Sequence, residues 1–154
     1  MPIKPLAMAA DHGGYDLKSI LKTAAEDAGW PVLDLGTYGP ESVDYPDFAA
    51  ALARCLADGK ADIGVLVCGT GIGISIAANR FPHIRAALVS DPLSARLARQ
   101  HNDANVIVFG GRIIGPELAK DCLKVFLETG FEGGRHARRV NKLADLAKTK
   151  GSDE

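Results

Sequence analysis

Short apolar runs alternate with longer amphipathic segments along the chain, and this alternation limits the possible folds more than any other feature. Residues 63–68 (IGVLVC) carry no charged side chain, which is typical of a strand buried on both faces of a parallel sheet. Strands are predicted over residues 3–10, 32–35, 63–68, 86–89 and 106–109. Helices are predicted over residues 15–28, 46–57, 74–78, 92–100, 115–129 and 134–148. This order predicts an α/β fold, a three-layer α/β/α sandwich with a five-stranded parallel sheet (Rossmann-like) plus an extra C-terminal helix.

The length of 154 residues suits a single domain. We expect residues 1–148 to form that domain and residues 149–154 to be a frayed tail. The last predicted helix follows no sixth strand. It therefore packs either on its own domain or on a partner chain.

Composition excludes several classes of protein. The formal charge is −1, from 18 Lys and Arg against 19 Asp and Glu, so there is no bulk attraction to nucleic acid or to an anionic membrane. Three cysteines are not a disulfide framework, which favours a reducing compartment. The sequence has no apolar run of about 18 residues and no signal peptide at its start, so we expect a cytoplasmic protein.

Polar and glycine-rich segments follow four of the predicted strands. Because ligands of parallel sheets bind outside the carboxyl ends of the strands, these segments predict a pocket at that edge. They are residues 11–14 (DHGG), 68–73 (CGTGIG), 90–91 (SD) and 110–112 (GGR).

The loop of residues 69–73 has glycine at alternate positions ahead of a predicted helix. Its backbone N–H groups either bind an anion or belong to a tight turn, and the spacing alone does not decide. Cys68 precedes the loop and is either a thiolate, since a free thiol has a pKa of about 8.5 that nearby cations lower, or a small buried apolar residue. Cys55 and Cys122 lie inside predicted helices and are interpreted as packing residues.

Two further polar clusters come later in the chain. His101 and Asn102 either reach the pocket or simply end a helix. Arg135 and Arg139 share one face of the last helix, which suits a phosphate group, although a solvated face or a nucleic-acid contact gives the same pattern. The four histidines have no metal-ligand spacing, so no metal site is predicted.

Six segments in this order resemble the ribose-5-phosphate isomerase B family, which also includes galactose-6-phosphate and allose-6-phosphate isomerases. The resemblance extends from residue 3 to about residue 146. The segments are residues 10–14 (ADHGG), 44–47 (DYPD), 68–73 (CGTGIG), 101–105 (HNDAN), 110–112 (GGR) and 133–136 (GGRH).

The resemblance implies an aldose–ketose isomerase that needs no metal or cofactor. D-Ribose 5-phosphate and D-ribulose 5-phosphate are the expected pair, interconverted through a cis-enediolate with Cys68 as the base. Some relatives use a glutamate further along the loop, but residues 72–74 here contain no carboxylate. Thr70 would hold the enediolate oxygens together with the loop amides. These amides belong to Gly69, Gly71, Ile72 and Gly73.

The resemblance also implies roles outside the loop. His101 would open the sugar ring with help from Asp11, and Asn102 and Tyr45 would contact the sugar. The implied phosphate ligands are His12, Arg112, Arg135 and Arg139. The family's pocket lies between two subunits, with the C-terminal helix on the partner. We therefore expect a homodimer or homotetramer that binds a small sugar phosphate and neither nucleic acid nor membrane.

Two alternatives remain. One is an isomerase of another sugar phosphate, such as allose 6-phosphate, galactose 6-phosphate or erythrulose 4-phosphate, because the length of the substrate depends on the depth of the pocket. The other is a non-catalytic subunit that binds a sugar phosphate. The presence of Cys68, Thr70 and His101 speaks against the second.

Overall fold

The five apolar runs form one parallel sheet in the computed structural model, which describes residues 3–148. The strands are β1 (Leu6–Ala10), β2 (Val32–Asp34), β3 (Gly64–Cys68), β4 (Ala86–Leu88) and β5 (Val106–Gly110). Their order across the sheet is β2-β1-β3-β5-β4, and every neighbouring pair is parallel. All residues of the three central strands are buried, whereas the two edge strands are partly exposed. The predicted tail, residues 149–154, lies outside the described residues.

Helices cover both faces of the sheet. They are α1 (Tyr15–Asp27), α2 (Tyr45–Ala57), α3 (Ile72–Ala78), α4 (Pro92–Asn102), α5 (Pro116–Glu128) and α6 (Arg135–Asp145), followed by a 3-10 turn at Leu146–Lys148. Because side chains alternate along a strand, successive residues of each strand face different layers. One face packs against α1, α4 and α5, and the other packs against α2 and α3. The predicted three-layer sandwich is confirmed.

Some elements begin or end away from their predicted limits. β1 begins at Leu6 and not at residue 3, because Pro5 has no N–H for the sheet ladder. α3 begins two residues early, at Ile72. α4 continues to Asn102, where Asp103 adopts a left-handed conformation (φ +46°) that ends the helix.

The C-terminal helix α6 packs against α4 and is otherwise largely exposed. His136 is its one buried residue, while Leu143 and Leu146 expose 47% and 67% of their surface. The limits of a single domain over residues 1–148 remain our proposal. Within residues 3–148, no helix is long and apolar enough to cross a membrane.

Candidate active site

Three glycine-rich turns meet at the carboxyl edge of the sheet. Gly111 donates its N–H to the carbonyl of Cys68 at 2.8 Å, and Arg112 donates to the carbonyl of Gly69 at 2.9 Å. A Cβ atom placed on Gly111 would lie 2.7 Å from the carbonyl oxygen of Gly13. Because backbone packs directly on backbone here, the turns after β1, β3 and β5 form one continuous floor.

Glycine is required at position 71 for two reasons. Its φ of +76° lies in the left-handed region, and a Cβ atom there would be 2.9 Å from the backbone of Phe109. This conformation turns the N–H of Gly71 back toward Cys68, whose Sγ accepts it at 3.2 Å. The geometry of the loop therefore places a hydrogen-bond donor on the sulfur.

Cys68 differs from the other two cysteines in its surroundings. All three thiols are free and buried, but Cys68 ends its strand at the loop. Burial, followed by the charges of Asp91 and Asp121, raises the pKa of Cys122 to about 11. Burial also raises the pKa of Cys55. The last two are packing residues, as predicted.

The loop amides are not all directed at a ligand, and this differs from the expectation. The N–H of Gly71 is bonded to Cys68, and the N–H of Ile72 donates to Thr70 Oγ1 at 3.2 Å. Both acceptors belong to the loop itself. The remaining amides, including those of Gly69 and Gly73, are the candidate donors to a ligand.

Asp11 and His12 organise the first of the three turns. Oδ1 of the buried Asp11 accepts the N–H groups of Gly13 at 2.9 Å and Gly14 at 3.2 Å. Nδ1 of His12 accepts the N–H of Val43 at 3.1 Å, so a neutral His12 carries its proton on Nε2. The outward donor of His12 is therefore Nε2–H.

Tyr45 and Arg112 both lie against the loop. A Cβ atom on Gly73 would lie 2.7 Å from the Tyr45 ring, and one on Gly69 would lie 3.3 Å from the guanidinium carbon of Arg112. Both side chains therefore approach the glycines of the loop closely. The carboxyl edge thus brings together ten of the predicted site residues. They are Asp11, His12, Tyr45, Cys68, Gly69, Thr70, Gly71, Ile72, Gly73 and Arg112.

The other predicted site residues lie at the amino edge of the sheet. α4 runs back from the carboxyl end of β4, so His101 and Asn102 at its end lie near the start of β5. Gly64, the first residue of β3, donates its N–H to the carbonyl of Asn105 at 2.9 Å. β3 has five residues, so roughly 13 Å of strand separates this edge from Cys68. A single chain does not bring Cys68 and His101 together.

Sequence reasoning missed a cluster at the amino edge. His101 stacks on His136 with ring centroids 4.4 Å apart and planes 13° apart. Oε1 of Glu132 lies 3.9 Å from Nε2 of His101 and 3.6 Å from Nε2 of His136. Burial and the neighbouring charges of His101, Arg135 and Arg139 lower the pKa of His136.

The only sequence signal for this cluster was the four-residue spacing of Glu132 and His136, because His101 comes 31 residues earlier. No metal site was predicted, yet these three residues offer potential ligand atoms within 4.8 Å of one another. Arg135 and Arg139, on the same helix as His136, are exposed.

Comparison with known proteins identifies the family. Residues 6–143 match the family model described as Ribose/Galactose Isomerase. The chain belongs to this family. It is accordingly an aldose–ketose isomerase of sugar phosphates.

Relatives of the ribose/galactose isomerase family match along nearly their whole length. Ribose-5-phosphate isomerase B of Escherichia coli is 46% identical over 144 residues, which cover 94% of this chain and 97% of the relative. D-Erythrulose-4-phosphate isomerase of Pectobacterium atrosepticum is 44% identical over 140 residues, 90% of this chain and 91% of the relative. A ribose 5-phosphate isomerase structure from Thermotoga maritima has a TM-score of 0.90 and 50% identity, covering 92% of this chain and 97% of its own. The family resemblance and the fold class are confirmed.

Proposed function

We propose that this chain interconverts D-ribose 5-phosphate and D-ribulose 5-phosphate, with Cys68 as the base. The observation that carries the proposal is the position of the Cys68 sulfur, which lies where the three turns meet and has the Gly71 N–H at 3.2 Å. No carboxylate occurs in residues 72–74, so the loop offers no other base there. The Escherichia coli relative, named ribose-5-phosphate isomerase B, supports the choice of substrate.

The proposed chemistry is a proton transfer between neighbouring carbons. The Cys68 thiolate takes the proton from C2 of the open-chain aldose, and the electron pair moves to the carbonyl oxygen, giving an enediolate. The thiol then returns the proton to C1, and one proton passes from O2 to O1. Because a thiolate is a weak base for such a carbon acid, the enediolate must be stabilised, and each donor of this kind is worth about 10² to 10³ in rate. Thr70 and the loop amides not bonded inside the loop supply these donors.

We propose that the site is completed by a second copy of the chain. Cys68 and His101 occupy opposite edges of the sheet. A site that contains both residues therefore requires the carboxyl edge of one copy and the amino edge of another. The surface beside the loop supports this arrangement, because it is apolar and exposed. Its exposed side chains are Ile72 (53%), Ile76 (54%), Leu88 (44%) and Ile113 (67%).

In the proposed homodimer, each site takes groups from both chains. His12 donates Nε2–H and Arg112 its guanidinium to the phosphate, together with Arg135 and Arg139 of the partner subunit. The second oxygen of Asp11 assists ring opening by the partner's His101, since Oδ1 is bonded to the first turn. Tyr45 and the partner's Asn102 contact the sugar. A homotetramer would be a pair of such dimers.

A second candidate function is isomerisation of a sugar phosphate of another length. The Pectobacterium atrosepticum relative, named for erythrulose 4-phosphate, is 44% identical, close to the 46% of the Escherichia coli relative. Overall identity therefore does not separate a four-carbon from a five-carbon substrate. Allose 6-phosphate and galactose 6-phosphate are the six-carbon alternatives. A non-catalytic sugar-phosphate-binding subunit is the remaining candidate.

A panel of four- to six-carbon aldose phosphates tests the substrate. We expect the highest kcat/KM with ribose 5-phosphate and very little turnover of free ribose. Equal rates on ribose and ribose 5-phosphate would contradict the phosphate contacts. No turnover of any member of the panel would favour the non-catalytic subunit.

Matched cysteine variants test the base. Cys68→Ala should lower kcat by at least about 10³ while the circular dichroism spectrum is unchanged, since general bases contribute about 10² to 10⁴ and here the base is also the only proton carrier. Cys55→Ala, a buried thiol inside α2, should keep its kcat. Substantial turnover by Cys68→Ala would remove Cys68 from the mechanism.

A further inference from the structure

The cluster of His101, Glu132 and His136 has a geometry that the proposed chemistry does not yet explain. The side chain of His101 is 40% exposed, whereas that of His136 is 11% exposed and lies flat against it. A single carboxylate oxygen, Glu132 Oε1, lies within 4 Å of Nε2 on both rings, at 3.9 and 3.6 Å. The cluster thus combines a partly exposed ring, a buried ring and one carboxylate oxygen near both.

The orientation of the rings does not favour a divalent cation. Each nitrogen lone pair lies in the plane of its ring, and the two stacked planes are only 13° apart, so the lone pairs do not converge on one point as a metal needs. The positive charges of Arg135 and Arg139 also lower the pKa of His136. Their positive charge opposes a second cation there.

Resting on the proposed role of His101 in ring opening, we propose that His136 and Glu132 are positioning residues for it. The His136 ring holds the plane of the His101 imidazole. The negative charge of the Glu132 carboxylate, 3.9 Å from Nε2 of His101, favours a proton on that nitrogen, so that Nδ1 exchanges a proton with the sugar.

The surroundings of His136 disfavour its charged form. Burial and the charges of His101, Arg135 and Arg139 lower the pKa of His136, against the opposing effect of Glu132. Because the ordinary pKa of histidine is about 6.5, the His136 ring is largely neutral near pH 7 and presents a flat surface to His101.

An acyclic substrate separates ring opening from isomerisation. The 4-deoxy analogue of ribose 5-phosphate lacks the hydroxyl that closes the furanose ring, so it needs no ring opening. His136→Ala and Glu132→Gln should each lower kcat/KM for ribose 5-phosphate by about 10-fold or more. This loss is a part of the rate enhancement of about 10² to 10⁴ that acid–base catalysis contributes. The same variants should change kcat/KM for the analogue by less than about 3-fold, because the proton transfer at Cys68 is intact.

Three variants control for a merely structural effect. His136→Phe keeps a flat ring against His101 and should recover most of the activity that His136→Ala loses. Glu128→Gln removes an exposed carboxylate four residues before Glu132 and should behave as the unaltered protein. Equal losses on both substrates, or no recovery in His136→Phe, would contradict the positioning role.

His101→Ala distinguishes failure of this proposal from failure of the proposed function. If His101→Ala loses activity equally on the cyclic and acyclic substrates, the ring-opening role of His101 itself is wrong.

Discussion

Mixing two inactive variants should restore activity if each site is shared between chains. Cys68→Ala removes the base at the carboxyl edge, and His101→Ala removes the ring-opening group at the amino edge. A homodimer of either variant has two defective sites. A mixed dimer has one site that combines Cys68 of one chain with His101 of the other, and one site that lacks both.

The expected magnitude follows from the symmetry of the dimer. Random exchange of equal amounts gives mixed dimers as about half of the population, and about half of their sites are intact. The mixture should therefore reach about one quarter of the activity of the same amount of unaltered protein. Within one chain, roughly 13 Å of β3 separates the two edges, so no rearrangement of side chains alone restores a site in a single copy.

The assay is ribose 5-phosphate turnover before and after exchange of subunits in mild denaturant. A cleavable tag on one variant, with co-purification of the other, measures the fraction of mixed dimers directly. A complementary experiment mixes equal amounts of unaltered protein and the Cys68→Ala, His101→Ala double variant. Both sites of the mixed dimer then lack one group, so activity should fall to about half of its value before exchange. Mixed dimers that form without any gain in the first experiment would refute the shared site.

Three further predictions concern stability. Lys18→Ala should lower the free energy of unfolding in urea by about 2–4 kcal/mol, because Lys18 is 1% exposed and its removal leaves the partly buried Asp34 with the more exposed Lys22, 3.7 Å away, as its ionic partner. Lys22 pairs with the same carboxylate but is 38% exposed, so Lys22→Ala should lower the free energy of unfolding by less than about 1 kcal/mol. Equal losses of stability in the two variants would contradict this account. Gly71→Ala should lower the free energy of unfolding by about 2–4 kcal/mol, because position 71 combines a φ of +76° with a clash of the new Cβ against backbone. Gly29→Ala should lower it by about 1 kcal/mol, because position 29 has a φ of +94° but open space around it. Thermal or urea unfolding measures both. The lowered pKa of His136 means that the unfolded chain binds its proton first, so stability should fall as the pH drops below about 6.5. His136→Phe should flatten this part of the stability profile, and an unchanged slope would assign it to other groups.

The arrangement of layers and the family were readable from the sequence alone. A run such as residues 63–68, apolar on both sides, is typical of the middle of a covered parallel sheet, and it forms the buried strand β3. Glycine-rich turns after the strands predicted where polar groups collect, because ligands of such sheets bind at the carboxyl ends of the strands. These patterns involve residues that are close together in the sequence, so they can be recognised without knowing any distant contact.

Only the tertiary structure decided how the predicted site divides. His101 and Cys68 both belong to the six segments that resemble the family, but the direction of α4 places them at opposite edges of the sheet. The hydrogen bond from Gly71 to Cys68 depends on a left-handed residue packed against Phe109, and periodicity carries no information about that contact. The stacking of His101 on His136 joins residues 35 positions apart in the sequence through the packing of α6 on α4. Contacts of this kind follow from strand order and helix direction, which arise only when the whole chain has folded.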